Sequence, residues 1–159
     1  MRGNDKVIAQ LNDALRAELV AINQYFLHAE MCENWGYHRL SEITKKQSFG
    51  EMKHAESVIE RILFLEGTPG LGMKLPLKVG GNVKAQLEND LSLELEAVAN
   101  YNAAIRMCTE EGDNTSRDLF QKLLADEEKH IDFLEAQLNV IKEIGLQNYL
   151  AQQMHDEGK

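Results

Sequence analysis

The sequence has few residues that break or cross-link a polypeptide chain. Its 159 residues include two prolines, Pro69 and Pro76, and five of its 11 glycines fall within residues 67–81. Because breakers are scarce elsewhere, long uninterrupted helices are expected. Two cysteines, Cys32 and Cys108, are too few for a disulfide framework or a four-cysteine metal site. We therefore predict free thiols and a reducing, cytoplasmic location.

Positive charge and long apolar runs are also scarce. Lys and Arg number 17 against 26 Asp and Glu, a net charge of −9. That balance argues against binding to nucleic acid, which requires a basic face, and suits a protein that attracts cations. No apolar run reaches the roughly 18 residues of a membrane span, and the start lacks a signal-peptide core. The length predicts one domain, residues 1–159.

Apolar residues at alternating spacings of three and four predict four long bundle helices. The helices are predicted over residues of about 5–35, 41–66, 82–111 and 115–144, followed by a short fifth helix over about 146–154. Gly36 is the expected stop of the first helix and Ser41 the expected N-cap of the second. Residues 67–81 predict a long crossover that lets the second and third helices run parallel. The predicted fold class is thus all-α, a four-helix bundle.

The first helix carries two apolar edges. Its inward stripe is formed by Ile8, Leu11, Leu15, Ile22, Tyr25 and Ala29. Val7, Leu19 and Phe26 form a second edge on the neighbouring face. Two edges indicate one contact with the core and one with another subunit.

Charged residues occupy inward stripe positions of all four long helices. They are Glu18, Glu51, His54, Glu94, Glu127 and His130. Burying one unpaired carboxylate costs several kcal/mol even after relaxation, and four would repel one another. Either the helices turn these groups to water or cations neutralise them.

The spacing of these residues favours cations. Glu51 and His54, like Glu127 and His130, are i, i+3 pairs that face the same way on a helix. The two halves of the chain repeat with an offset of 76 residues, which also relates Glu18 to Glu94. Carboxylates and imidazoles suit first-row metals such as iron or manganese, and two divalent cations would balance four carboxylates.

The sequence resembles the bacterioferritins over nearly its whole length. The resemblance rests on ELVAINQYFLHA at residues 18–29, EMKHAE at 51–56, ERILFLEG at 60–67, DEEKHIDFLE at 126–135 and GLQNYL at 145–150. It implies a ferritin-like bundle and a hollow, cytoplasmic homo-oligomer of 24 subunits built from two-fold dimers. Such a shell oxidises Fe(II) with dioxygen or hydrogen peroxide and stores the Fe(III) mineral. The resemblance implies that the six charged residues form a catalytic centre for two iron ions. In it, Glu51 and Glu127 would be the bridging ligands and Glu18 and Glu94 the terminal ligands.

The resemblance also implies haem b, bound between two subunits by Met52 from each. The residues expected around it are Leu19, Ile22, Asn23, Phe26 and Ile59. From its sequence position alone, a flexible core or interface residue is the favoured interpretation of Met52, and only the resemblance indicates a haem ligand. A ferredoxin-type reductase is the implied partner for iron release. Where some members carry a His and an Asp that form an inner-surface iron site, this sequence has Lys46 and Gly50, with the uncharged Gln47 between them, so that site is not expected.

Several alternatives stay open at this stage. Tyr25 and its repeat-related partner Tyr101 could hydrogen-bond a ligand, supply an electron or simply pack in the core. Another di-iron oxidase, a haem-only electron-transfer bundle and a shell subunit without chemistry are rival functions. His28, His38 and His155 lie off the stripe and are interpreted as surface or interface residues.

Overall fold

The structure, a computed structural model, describes residues 1–73 and 77–155. Residues 74–76 of the predicted crossover and the final residues 156–159 lie outside the described residues. The five helices are α1 Asp5–Asn34, α2 His38–Phe64, α3 Val83–Glu110, α4 Asn114–Ile144 and α5 Leu146–Gln152. The predicted all-α bundle of four long helices with a short fifth is confirmed. None of the helices in the described ranges combines the length and apolar character that crossing a membrane requires.

Polar side chains begin three of the long helices. Asn4, Asn82 and Asp113 each accept hydrogen bonds from backbone N–H groups in the first turn that follows. The predicted N-cap at Ser41 is wrong, because α2 begins at His38 and Ser41 is buried in its first turn. The connection before α2 is only three residues long and turns sharply at Gly36, whose φ is +87°. The chain therefore enters the helix earlier than the Ser41 signal indicates.

The helices pair as two hairpins. α1 packs mainly against α2, and α3 mainly against α4. Hydrogen bonds from Tyr101 to Glu18 and from Tyr25 to Glu94 show that α1 and α3 are antiparallel. Since α1 is antiparallel to both α2 and α3, the second and third helices run parallel. The long crossover is therefore confirmed as the connection between opposite ends of the bundle.

The crossover lies along α1 and covers part of it. Its N–H groups donate to side chains of α1: Gly70 to Asn12 Oδ1 at 2.8 Å and Gly80 to His28 Nε2 at 3.1 Å. A Cβ on Gly80 would lie 2.3 Å from the backbone nitrogen of Gln86, so only glycine fits there. The interpretation of His28 as a surface residue is wrong: it is fully buried under the crossover, and its Nδ1 lies 2.9 Å from Asp90.

Apolar side chains fill both ends of the bundle. The first end cluster contains Val7, Leu11, Leu15, Val58, Ile62, Leu65, Ala104, Phe120 and Leu123. The second contains Cys32, Leu40, Val83, Leu87, Leu134, Ile141 and Tyr149. Val7 is fully buried in the first of these clusters and therefore belongs to the core rather than to a second outer edge. The six charged stripe residues lie between the two end clusters.

Candidate metal centre

The charged stripe residues meet in the middle of the bundle. α1 supplies Glu18, α2 supplies Glu51 and His54, α3 supplies Glu94, and α4 supplies Glu127 and His130. Each of the four carboxylates is at most 2% exposed. The helices have therefore not turned these groups to water, and the first of the two explanations for the charged stripe is excluded.

Two groups of side chains with the donor atoms to hold a metal ion share two members. The His54 half-site consists of Glu18, Glu51, His54 and Glu127. The His130 half-site consists of Glu51, Glu94, Glu127 and His130. Within each group the ligand atoms lie within 4.8 Å of one another. Glu51 and Glu127 belong to both half-sites, which is the arrangement that two adjacent cations require of bridging carboxylates.

Each imidazole directs its Nδ1 toward the shared carboxylates. His54 Nδ1 lies 3.1 Å from Glu51 Oε2 and 3.1 Å from Glu127 Oε1. His130 Nδ1 lies 3.1 Å from Glu51 Oε1 and 3.2 Å from Glu127 Oε2. Each shared carboxylate therefore offers one oxygen to each half-site.

A tyrosine fixes each carboxylate that belongs to only one half-site. Tyr101 donates its hydroxyl hydrogen to Glu18 and Tyr25 donates to Glu94, and all four residues are buried. Burial, together with the charge of the adjacent carboxylates, holds the pKa of both phenols well above the usual value. Both phenols are therefore hydrogen-bond donors at neutral pH. This agrees with one of the roles considered from the sequence, a hydrogen bond to a ligand carboxylate.

The clustered groups shift one another's protonation. Burial holds the pKa of Glu51 well above its usual range and raises the pKa of Glu94 to about 8. Burial alone would lower an imidazole pKa, but the carboxylates close to each ring, Glu127 first among them, raise the pKa of His130 to about 12 and also raise that of His54. The imidazolium form of both rings therefore offsets part of the negative charge, and an entering cation displaces protons.

Several buried atoms of the cluster lack hydrogen-bond partners. Within the described part of the chain these include Glu18 Oε2, Glu51 Oε1, Glu127 Oε2 and His130 Nδ1. The Glu51 and His130 atoms lie 3.1 Å apart, yet their alignment is not that of a hydrogen bond. Buried polar atoms are nearly always satisfied, so unsatisfied oxygen and nitrogen atoms that converge on one space fit a cation. The donor set suits iron or manganese.

A cavity of about 560 Å³ opens between α1 and α3. It is lined near the surface by Asp13 and Glu96 and reaches Glu18, Glu94 and the shared carboxylates. Small ions and oxidants therefore have a direct route to the cluster.

Met52 lies away from the cluster. It follows Glu51 on α2, yet its side chain is 44% exposed. Phe26 on the adjacent helix α1 is 52% exposed, whereas Leu19, Ile22 and Ile59 are half-buried. An apolar outer face on α1 and α2, at a distance from the charged centre, is what a contact with a second subunit requires.

Sequence reasoning missed Asp126. Its Oδ2 lies 3.0 Å from His54 Nε2, the ring nitrogen that faces away from the cluster. Asp126 directly precedes Glu127 and lies off the inward stripe, so the periodicity of apolar residues gave no signal for it. The other histidines off the stripe, His38 and His155, lie outside the cluster, with His38 Nδ1 2.8 Å from Glu33. Cys32 and Cys108 are buried free thiols, as predicted.

Comparisons with known proteins agree with this architecture. The model of the family described as Ferritin-like domain matches residues 8–144. The chain is 49% identical over 149 residues to a bacterioferritin of Brucella melitensis, covering 94% of this chain and 92% of the relative. It is 45% identical over 152 residues to a bacterioferritin of Mycolicibacterium paratuberculosis, covering 96% of each. A bacterial ferritin of Synechocystis is 47% identical over 155 residues, covering 97% of this chain and 99% of the relative. The chain belongs to the bacterioferritin family of ferritin-like proteins.

Proposed function

We propose that this protein stores iron and that each subunit oxidises Fe(II) to Fe(III) at the buried centre. The observation that carries this proposal is the pair of half-sites that share Glu51 and Glu127. The six charged residues would hold two iron ions, with the shared carboxylates bridging them and Glu18 and Glu94 each binding one. Two divalent cations balance the four carboxylates, which removes the repulsion that otherwise opposes their burial.

The chemistry follows from the donor set. When bound, the iron pair supplies two electrons to dioxygen or hydrogen peroxide, and each Fe(II) becomes Fe(III). Carboxylate oxygens stabilise the product because hard donors suit the higher charge. Tyr25 and Tyr101 hold the two terminal carboxylates in place through their hydroxyl groups. A prepositioned set of charges in a low-dielectric interior acts without reorganisation at the moment of reaction.

Substitution of a bridging carboxylate tests this proposal. We expect Glu51→Ala to eliminate the fast phase of Fe(II) oxidation, because it removes an oxygen donor from both half-sites. Stopped-flow absorbance after mixing with oxygenated Fe(II) measures that phase. Glu56→Ala on the exposed side of the same helix is the matched control and should oxidise Fe(II) like the wild type. Unchanged oxidation in Glu51→Ala would favour the rival function, a haem-only electron-transfer bundle.

We also propose that Met52 binds haem b between two subunits. The exposure of its thioether on the outer apolar face of α1 and α2 supports this role. We expect Met52→Ala to lose the Soret absorption of the purified protein while it still assembles. Met154→Ala, which removes another exposed methionine after α5, is the control. Haem retained by Met52→Ala at wild-type occupancy would contradict the assignment.

The assembled form proposed is a 24-subunit homo-oligomer built from two-fold dimers, with a ferredoxin-type reductase for iron release. The exposed apolar residues on α1 and α2 support burial of that face against a second copy. Sedimentation velocity of the iron-free protein measures the size. A monomer at micromolar concentration would contradict the proposed shell.

A further inference from the structure

The two half-sites differ outside the ring of ligands. His54 Nε2 lies 3.0 Å from Asp126 Oδ2, so its ring is held on both sides, by Asp126 and by the shared carboxylates. The 76-residue offset that relates His54 to His130 relates Asp126 to position 50, which is Gly50. The position that corresponds to Asp126 therefore has no side chain that could hold His130 in the same way.

The surroundings of His130 reflect this difference. Among residues 1–73 and 77–155, no side chain is recorded within hydrogen-bond distance of His130 Nε2. The side chain of His130 is 19% exposed, against 10% for His54. The outer nitrogen of His130 therefore faces solvent, whereas that of His54 faces a carboxylate.

A carboxylate behind a metal-binding histidine has two effects. It accepts the hydrogen of the outer nitrogen, which leaves the lone pair of the inner nitrogen directed at the cation. It also fixes the orientation of the ring and increases its donor strength, and loss of such a partner lowers metal affinity by about 10- to 100-fold. Asp126 is 47% exposed and its Oδ1 lies 3.5 Å from Lys129. Solvent and the lysine therefore weaken the electrostatic effect of the Asp126 carboxylate on His54. We therefore expect an effect near tenfold.

We propose that Asp126 is a positioning residue for His54 and that it makes the His54 half-site bind a divalent cation more tightly than the His130 half-site. This inference rests on the proposed function. It predicts that the two cations enter in order, first beside Glu18 and His54 and then beside Glu94 and His130.

The chain offers a reciprocal experiment at Gly50. A Cβ built on Gly50 would have no other atom within 4 Å, and its φ is not positive. A side chain can therefore start at this helical position without a clash at its Cβ. By the repeat relation, Gly50→Asp places a carboxylate behind His130 as Asp126 lies behind His54.

Calorimetric titration of the iron-free, assembled protein with Co²⁺ tests the proposal. We expect two Co²⁺ per subunit in two steps, the tight step lost in Glu18→Ala and the weak step lost in Glu94→Ala. Asp126→Asn should weaken the tight step by about tenfold and leave the weak step unchanged. Asp126→Glu should restore part of the loss. Gly50→Asp should strengthen the weak step, whereas Gly50→Ala should not.

The controls separate positioning from general charge and stability. Asp118→Asn removes the same charge from an exposed position of α4 that pairs with Lys122. It should leave both steps unchanged. Equal affinities in the wild type, or equal weakening of both steps by Asp126→Asn, would overturn the inference and leave the di-iron centre intact. If the wild type binds no more Co²⁺ than Glu51→Ala, the proposed function and the inference both fail.

Discussion

The ends of the bundle and its middle are built on the same helical stripes but with opposite chemistry. At the first end, Leu11 and Leu15 on α1 and Ile62 on α2 are fully buried and apolar. One turn further along α1 the stripe position is Glu18, which is just as buried. Apolar burial stabilises the fold by roughly 1.5–3 kcal/mol per large side chain, whereas an unpaired buried carboxylate costs several. The ends therefore stabilise the fold, whereas the charged groups of the middle are buried at a cost in stability.

The largest effect is expected from a substitution in the middle. Glu127→Ala removes a donor from both half-sites, so we expect Fe(II) oxidation to slow by at least about a hundredfold. The same change relieves repulsion among the carboxylates but also removes a carboxylate that lies 3.1 Å from His54 and 3.2 Å from His130, so the thermal unfolding midpoint of the iron-free protein should change little. Stopped-flow absorbance and circular dichroism measure the two quantities. A large loss of stability with normal oxidation would show that Glu127 stabilises the fold and does not take part in iron oxidation.

The opposite pattern is expected at the apolar end. Ile62→Ala removes a fully buried side chain two helical turns beyond His54. The resulting cavity should lower the free energy of unfolding by about 2–5 kcal/mol. Oxidation by the folded protein should stay close to the wild-type rate, because no ligand moves. A strong loss of oxidation in protein that remains fully folded would show that the end cluster and the centre are not separable.

The smallest effect concerns a charge that stabilises an end rather than binding a cation. Asp113 caps α4, accepts a hydrogen bond from Ser116 N at 2.9 Å and pairs with Arg61 at 2.9 Å. Burial opposes ionisation, but Ser116 and Arg61 outweigh it and lower the pKa of Asp113. We expect Asp113→Ala to cost about 1 kcal/mol at neutral pH.

The loss of stability in Asp113→Ala should depend on pH, and its direction follows from the lowered pKa of Asp113. A folded-state pKa below the unfolded value contributes stability above the unfolded pKa, and that contribution is lost as the pH falls through the folded pKa. The stability gap between wild type and Asp113→Ala should therefore shrink below about pH 4. Thermal unfolding at pH 3 and pH 7 measures it. A gap that widens in acid would contradict the role of the Asp113 carboxylate.

The sequence predicted the elements that depend on local pattern. Helix number, the crossover and the inward position of Glu18 and Glu94 follow from spacings along one helix, because a charge on an apolar stripe is visible without a structure. Contacts between distant segments were not predictable in this way. His28 was expected to be exposed because the crossover segment that covers it, at Gly80, is 52 residues away in the sequence. Asp126 was missed for the same reason, since its partner His54 lies on another helix.

The start of α2 shows the limit of local signals. Ser41 followed by Glu42 is a favourable beginning for a helix. The three-residue connection after α1 nevertheless leads directly into helix at His38, and Ser41 N donates to Tyr37 O at 3.0 Å as the first hydrogen bond of α2. The geometry of the preceding turn therefore outweighs the preference of the residue.

The most direct test is anomalous scattering from anaerobic crystals of the assembled protein soaked with Fe(II). We expect two iron peaks per subunit inside the bundle, both in contact with Glu51 and Glu127, one beside His54 and the other beside His130. Iron found only on the surface or in the shell cavity, with the six side chains free of metal, would contradict the central claim.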